Sequence, residues 1–447
     1  SLLGGMTMPR FLQAARNPTG RKAPAKSVIL INLFGGPSHL DTFDLKPGAP
    51  TEVRGEFSPI ATSVAGLRIC EHLPRIARLM HRACLIRTLS HGYNSHNPYA
   101  VLTGFTGGED RENYYSKPTD HPGMGAVCRY LGRCGPDPAG YVVMPAIPGY
   151  SQGLRRAGPY GGYLGNQHNP LFTTCEPKFD READPDKNSY DPITPWGEPL
   201  FPSLEPLSAL TADRLDRRRS LLQQIDTQVA KLESRQAINH MSQQQRQALA
   251  LLTSSKTRQA FDLSKESPVL RDRYGRDLYG SSLLMARRLV EAGTTFVAVN
   301  TESRGGGHWD THEKNFFMLK GYLLPLLDRV FSALLEDLED RGLLDSTLVG
   351  VMGDMGRTPR VNARAGRDHW PQCGFALLAG GGTKGGAVFG ETDKQAAYPI
   401  NNPVSPGDIC ATIYELLGVD STITIPDHLA RPVHIAHGGA PVRAIMA

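Results

Sequence analysis

Ser27-Val-Ile-Leu-Ile-Asn-Leu-Phe-Gly-Gly-Pro37 is the stretch that decides the fold. A strand with one wet face alternates apolar and polar residues, whereas a strand covered on both faces reads as a nearly unbroken apolar run. This run is of the second kind and ends in Gly35-Gly36-Pro37, so the chain leaves the strand into a tight loop. The expectation is a buried parallel strand opening at its C-terminal end. In open α/β sheets that edge is where ligands bind.

Working outward, a helix is predicted over Pro74–Met80 and a strand over Ala83–Arg87. The polar loop His91–Ala100 then runs into Val101-Leu-Thr-Gly-Phe105. Further on the pattern predicts a helix over Ser282–Ala292 closed by Gly293, a strand over Thr295–Asn300 and a long periodic helix over Lys320–Arg341 closed by Gly342. Strands over Ser346–Met352 and Phe375–Ala379 and a helix over Ile409–Leu417 complete the series. This alternation predicts an α/β fold: a doubly wound, mostly parallel sheet with helices on both faces. Residues 27–447 read as one such domain carrying two insertions. The first, 106–206, is rich in Gly, Pro, Tyr and Asn and is expected to hold little regular structure. The second, 207–265, has helical spacing that is not sustained in heptads, which predicts packed helices rather than a coiled coil.

Composition narrows the function classes. With 447 residues, 40% of them hydrophobic, the chain can bury a large core without cross-links. The net charge of +5 comes with no lysine-rich tract, which argues against a nucleic-acid partner. No apolar run reaches the length of a transmembrane helix. The seven cysteines contain no Cys-x-x-Cys pair, which excludes a zinc ribbon or a thioredoxin-type motif; a Cys128–Cys134 bridge stays open. Residues 1–26 pass from small and apolar to polar and Pro-containing, as in the remnant of an export signal followed by a linker. The expected location is therefore outside the cytoplasm, in the periplasm or on the cell surface.

Four clusters are candidates for chemistry: Ser38–Asp44 after the first strand, His308-Trp-Asp-Thr-His312, Asp354 after the Ser346–Met352 strand, and Arg367-Asp-His-Trp370. Singly, an Asp after a strand is often a helix cap or a turn residue. Together, carboxylates and imidazoles arriving at strand ends point to a shared divalent-metal site, with Zn²⁺, Mn²⁺ or Ca²⁺ as the ion. The candidate ligands are Asp41, His308, Asp310, His312, Asp354, Asp368 and His369. Arg357 is a candidate for holding an anionic ester through its guanidinium, its bland alternative being a surface salt bridge.

Leu33-Phe-Gly-Gly-Pro-Ser-His-Leu-Asp-Thr-Phe-Asp44, Trp309-Asp-Thr-His312, Met352-Gly-Asp-Met-Gly-Arg-Thr-Pro359, Gly366-Arg-Asp-His-Trp-Pro371 and Leu378-Ala-Gly-Gly-Gly-Thr-Lys-Gly-Gly386 resemble the DUF1501 family. That resemblance implies an alkaline-phosphatase-like fold, with sulfatases and cofactor-independent phosphoglycerate mutases as distant relatives. It also implies export by a twin-arginine signal, as in planctomycetes. Asp310 and His312 then match a ligand pair, Asp354 a carboxylate after a later strand, His369 a final imidazole, and Asp41 an early metal carboxylate. Two departures stand out. Met355 occupies a position where relatives commonly carry His. Asn94 falls where sulfatases carry their nucleophile, which argues against formylglycine chemistry.

The resemblance implies an exported metal-dependent hydrolase of phosphate or sulfate esters. Ser95 or a water would attack, His96 would act as acid/base, and Arg357 would hold the anion. The expected partner is an anionic ester or a sulfated or phosphorylated polysaccharide; the oligomeric state stays open. The alternative is a catalytically inactive relative that binds a polysaccharide or a protein.

Overall fold

The computed structural model describes residues 23–134, 138–175, 178–179, 190, 194–200, 255–302 and 308–447. Eight strands form the central sheet: β1 (Ser27–Leu33), β2 (Ala83–Leu89), β3 (Tyr141–Met144), β4 (Leu171–Phe172), β5 (Phe296–Asn300), β6 (Thr347–Gly353), β7 (Gly374–Ala379) and β8 (Val388–Phe389). Their spatial order is β8-β2-β7-β6-β1-β5-β3-β4. β1 lies between β6 and β5 and runs parallel to both. Within this sheet β7 alone runs against its neighbours β6 and β2. The α/β, mostly parallel architecture expected from the sequence is therefore the one observed.

All seven residues of β1 are buried. Their side chains divide between two cores. Ile29, Ile31 and Leu33 enter one, together with α1 (Pro74–Leu79), α4 (Leu278–Glu291) and α5 (Leu324–Asp340). Val28 and Leu30 enter the other, with α2 (Tyr99–Thr103), α3 (Met124–Tyr130) and α6 (Pro406–Leu416). Helices thus cover both faces, which is why the run lacks alternation. Each such side chain contributes ~1.5–3 kcal/mol of burial.

Several boundaries differ from the expectation. α4 starts earlier, at Leu278, because Asp277 caps it by accepting from the backbone N–H groups of Tyr279 and Gly280. α5 starts later, at Leu324, after a wider π-type turn over Leu319–Leu323. The 106–206 segment is not structureless: it supplies α3, β3 and β4, and β3 pairs with β5 in the central sheet. Its strands have four and two residues, too short to show a period. Of the predicted helical insertion, residues 207–254 lie outside the described residues, as does the export-type segment up to residue 22; Ser255–Phe261 is helical. No helix among the described residues is long and apolar enough to cross a membrane. Cys128 and Cys134 are buried and unbridged, and all seven cysteines are free thiols.

Candidate metal centre

The sheet brings its chemistry to the C-terminal ends of β1, β5 and β6. After Leu33 the chain turns through Gly35, at φ +103°. A Cβ there would stand 2.4 Å from the backbone nitrogen of Asp310, so the turn and the Asp310 loop are in backbone contact. The Trp309 N–H donates to Phe34 O at 2.9 Å. The Gly35 N–H donates to Oδ2 of Asp354, the first residue after β6, at 2.8 Å. Only a residue without a side chain permits this approach.

Asp310 Oδ1 is the focus. His312 Nε2 lies 3.0 Å from it, His96 Nε2 3.1 Å and His369 Nε2 3.3 Å. One donor atom from each of His96, Asp310, His312 and His369 lies within 4.8 Å of the others. Tetrahedral bonds of ~2.0–2.1 Å would separate ligand atoms by ~3.3–3.4 Å. The three spacings from Asp310 Oδ1, 3.0, 3.1 and 3.3 Å, come near that size.

Each imidazole is held from behind. His312 Nδ1 is 2.7 Å from Asp368 Oδ1, and Asn362 Nδ2 donates to the same oxygen. His369 Nδ1 is 3.0 Å from the Asn94 carbonyl. His96 Nδ1 is 3.3 Å from Asp354 Oδ2, while its ring packs against Phe34. All three partners are acceptors. Each Nδ1 therefore carries a hydrogen, which leaves Nε2, the nitrogen facing Asp310, as the atom that could ligate an ion. Such backing is characteristic of metal-ligating histidines. Although His96 Nε2 comes close to Asp310, it makes no aligned hydrogen bond there. A carboxylate ringed by three imidazoles attracts positive charge, which protons on the rings or a divalent cation among the Nε2 atoms would supply, and the donor set fits such a cation.

Burial opposes ionisation of Asp310, but His312, His369 and His96 and the Arg357 charge outweigh it and hold the carboxyl far below its usual range. Burial pulls His96 down, yet contacts with Asp310 and Asp354 leave it raised. The Asp310 contact raises His312, whereas burial leaves His369 lowered.

The remaining candidates have other partners. Asp41 takes Nε and Nη2 of buried Arg367 at 2.7 and 3.0 Å, and also accepts from Ser38 and Asn315. It is committed to that ion pair and does not join the four. His308 is pushed down to about 4 by burial, and its Nδ1 accepts the Asp310 N–H at 3.3 Å. Asp354 and Asp368 back His96 and His312. Arg357, expected to clamp an ester, is fully buried. It donates to the carbonyls of Gly35, Gly36 and Arg367 and to Asp310 Oδ1, using four of the five N–H groups a guanidinium has. Its place is to fix Asp310. Ser95 Oγ donates to Asp110 Oδ1 at 2.7 Å. Met355 is buried beside Gly36.

Residues 25–446 match the family model described as a protein of unknown function, DUF1501. The chain belongs to the DUF1501 family. No curated protein matches it. Similar solved structures include a sulfatase from Pseudoalteromonas sp., at 13% identity and TM-score 0.37, covering 91% of this chain and 70% of that one. Another is a phosphonate monoester hydrolase from Silicibacter pomeroyi, at 12% identity and TM-score 0.36, covering 93% and 75%. A third is a lipoteichoic acid synthase from Listeria monocytogenes, at 11% identity and TM-score 0.34, covering 96% and 81%. Likeness this low carries no argument about chemistry, so the reading of this DUF1501 chain rests on its own side chains.

Sequence reasoning did not single out three supporting residues of the DUF1501 site, His91, Asn362 and Asp110, and it read Arg367 only as a member of a candidate cluster. His91 accepts the Tyr93 N–H and bonds the backbone of Asp354. Asn362 steadies Asp368, Arg367 holds Asp41, and Asp110 holds the Asn94–Ser95 backbone and hydroxyl. His91 shares the polar loop of His96, the one signal that could have drawn attention to it.

Proposed function

We propose that this chain is an exported, metal-dependent hydrolase of anionic esters, phosphate or sulfate, whose ion is held by His96, Asp310, His312 and His369. The observation that carries the proposal is the convergence of three backed imidazoles on one carboxylate. Three nitrogen donors and one oxygen favour Zn²⁺ or Mn²⁺ over Ca²⁺, which prefers all-oxygen sites. When bound, such an ion supplies Lewis acidity to an ester oxygen. The protein's own work is orientation: Arg357 fixes Asp310, while Asp368, Asp354 and the Asn94 carbonyl fix the imidazoles. The proposed substrate is a small anionic ester or a sulfated or phosphorylated polysaccharide.

A second reading has one observation in its favour. Four protein donors fill a tetrahedron, as structural zinc sites do, and Ser95 turns its hydroxyl to Asp110. On that reading the metal stabilises a binding scaffold for a polysaccharide or protein. Elemental analysis of purified protein, with assays on aryl phosphate, phosphonate and sulfate esters, separates the two. The hydrolase reading expects bound Zn or Mn and turnover that disappears on chelation and in Asp310→Asn. Bound metal with no turnover on any ester supports the scaffold, and protein that refuses metal refutes both.

A further inference from the structure

Hydrolytic zinc centres keep three protein ligands and one open position, whereas closed sites use four. This centre has four donors, so turnover requires one of them to yield, and the structure distinguishes among the four. Asp310 is fixed by buried Arg357 and by backbone contact with Gly35. His312 is held at 2.7 Å by Asp368, itself steadied by Asn362. His369 lies in a two-stranded ribbon, paired in register with Arg357. His96 has the longest backing contact, 3.3 Å, and sits in the irregular stretch between β2 and α2.

Among the groups that hold that stretch, Asp110 is the exposed one. Its Oδ1 accepts the Asn94 N–H at 2.8 Å and the Ser95 hydroxyl at 2.7 Å. The Asn94 carbonyl backs His369, and His96 follows two residues later. One exposed carboxylate on the first insertion therefore sets the geometry of two of the four donors.

We infer that Asp110 latches the Asn94–His96 segment, so that His96 closes the fourth position of the centre and an oxyanion reaches it only when this segment lifts. The inference rests on the metal reading above. Asp110 is a positioning residue, and His96 is the exchangeable ligand. Opening breaks the two hydrogen bonds at the exposed Asp110 carboxylate, each a modest net contribution at the surface, and with them the Asn94–His369 and His96–Asp354 contacts. No covalent bond changes; one donor leaves and one oxyanion takes its place.

The test is the visible absorption of the Co²⁺-loaded full chain, titrated with inorganic phosphate, for wild type, Asp110→Ala and His96→Ala. The wild-type spectrum should be four-coordinate and indifferent to phosphate at concentrations that shift both variants. Asp110→Ala should respond at phosphate concentrations lower by about tenfold or more, as expected when a minor competent state becomes populated. Equal phosphate sensitivity in wild type and Asp110→Ala would overturn the latch. Loss of cobalt from His96→Ala would overturn the exchangeable role, since the centre would then need all four donors. A wild type that takes up no cobalt removes the metal reading, and this inference with it.

Discussion

Replacing Gly35 with Ala tests whether the strand-end turn sets the metal geometry. The new Cβ would stand 2.4 Å from the Asp310 nitrogen and 2.9 Å from two backbone atoms of Trp309. These are backbone atoms and cannot rotate away, so the Asp310 loop must retreat. Real Cβ contacts stay beyond 3.0 Å, so the retreat is at least 3.0 − 2.4 = 0.6 Å. The φ of +103° adds strain of ~1–3 kcal/mol and the overlap a further ~1–3 kcal/mol. Gly66→Ala is the control. Gly66 has φ +79° and nothing within 4 Å of the added atom, so it should cost only the backbone strain, about 1 kcal/mol. Denaturant unfolding of the metal-free proteins measures stability, and competition with a chromophoric chelator measures metal affinity. Gly35→Ala should be the less stable variant and should bind metal at least ~10-fold more weakly, as when supporting contacts of a metal ligand are lost. Gly66→Ala should keep wild-type affinity. If Gly35→Ala loses no more stability than Gly66→Ala and keeps wild-type affinity, the turn does not position Asp310 and the site is drawn wrongly.

Asp368→Asn should weaken metal binding by ~10–100-fold. It should leave the fold intact, because the Asp368 side chain is 49% exposed; chelator competition and circular dichroism check the two halves. His437, away from the centre, should make the protein acid-sensitive. Its ring packs beside His121 and Phe105, and burial pushes its pKa down to about 3. The unfolded chain binds a proton below about pH 6.5 that the folded chain refuses until about pH 3. Stability is therefore fully present above the unfolded pKa and falls as pH drops through that window, by at most ~1.4 kcal/mol per pH unit. In urea titrations His437→Asn should flatten part of that slope; an unchanged slope would show that the imidazole is not held neutral.

The fold was legible because β1 is covered on both faces, and double cover leaves an unbroken apolar run. The two strands at one end of the sheet were not, since β3 and β4 are too short for a period to appear. In the site, Asp310, His312 and His369 stood out as polar residues in Gly-flanked loops near strand ends. His96 also stood out, but its loop matched a nucleophile loop, so it was expected to act as an acid/base, whereas the structure sets it among the donors. Asp41 and Arg357 illustrate a general obstacle. A carboxylate and a guanidinium have the same composition whether they face a ligand or one another. Their partners, Arg367 and Asp310, are distant in sequence or hidden in a motif read for another purpose. The Asn94 carbonyl that backs His369 is a main-chain atom, and no residue type announces it.

More than two hundred residues separate His96 from Asp310. An ion held by both would act as a non-covalent cross-link closing a loop that contains the whole first insertion and the segment after it. Such closure removes far more freedom from the unfolded chain than from the folded one, and the cost of closing a loop grows only slowly with its length. The enclosed segment could then be lengthened or exchanged at little cost to the centre. A single proteolytic cut within it would leave two fragments joined by the sheet and by the metal, separable only when both are dismantled.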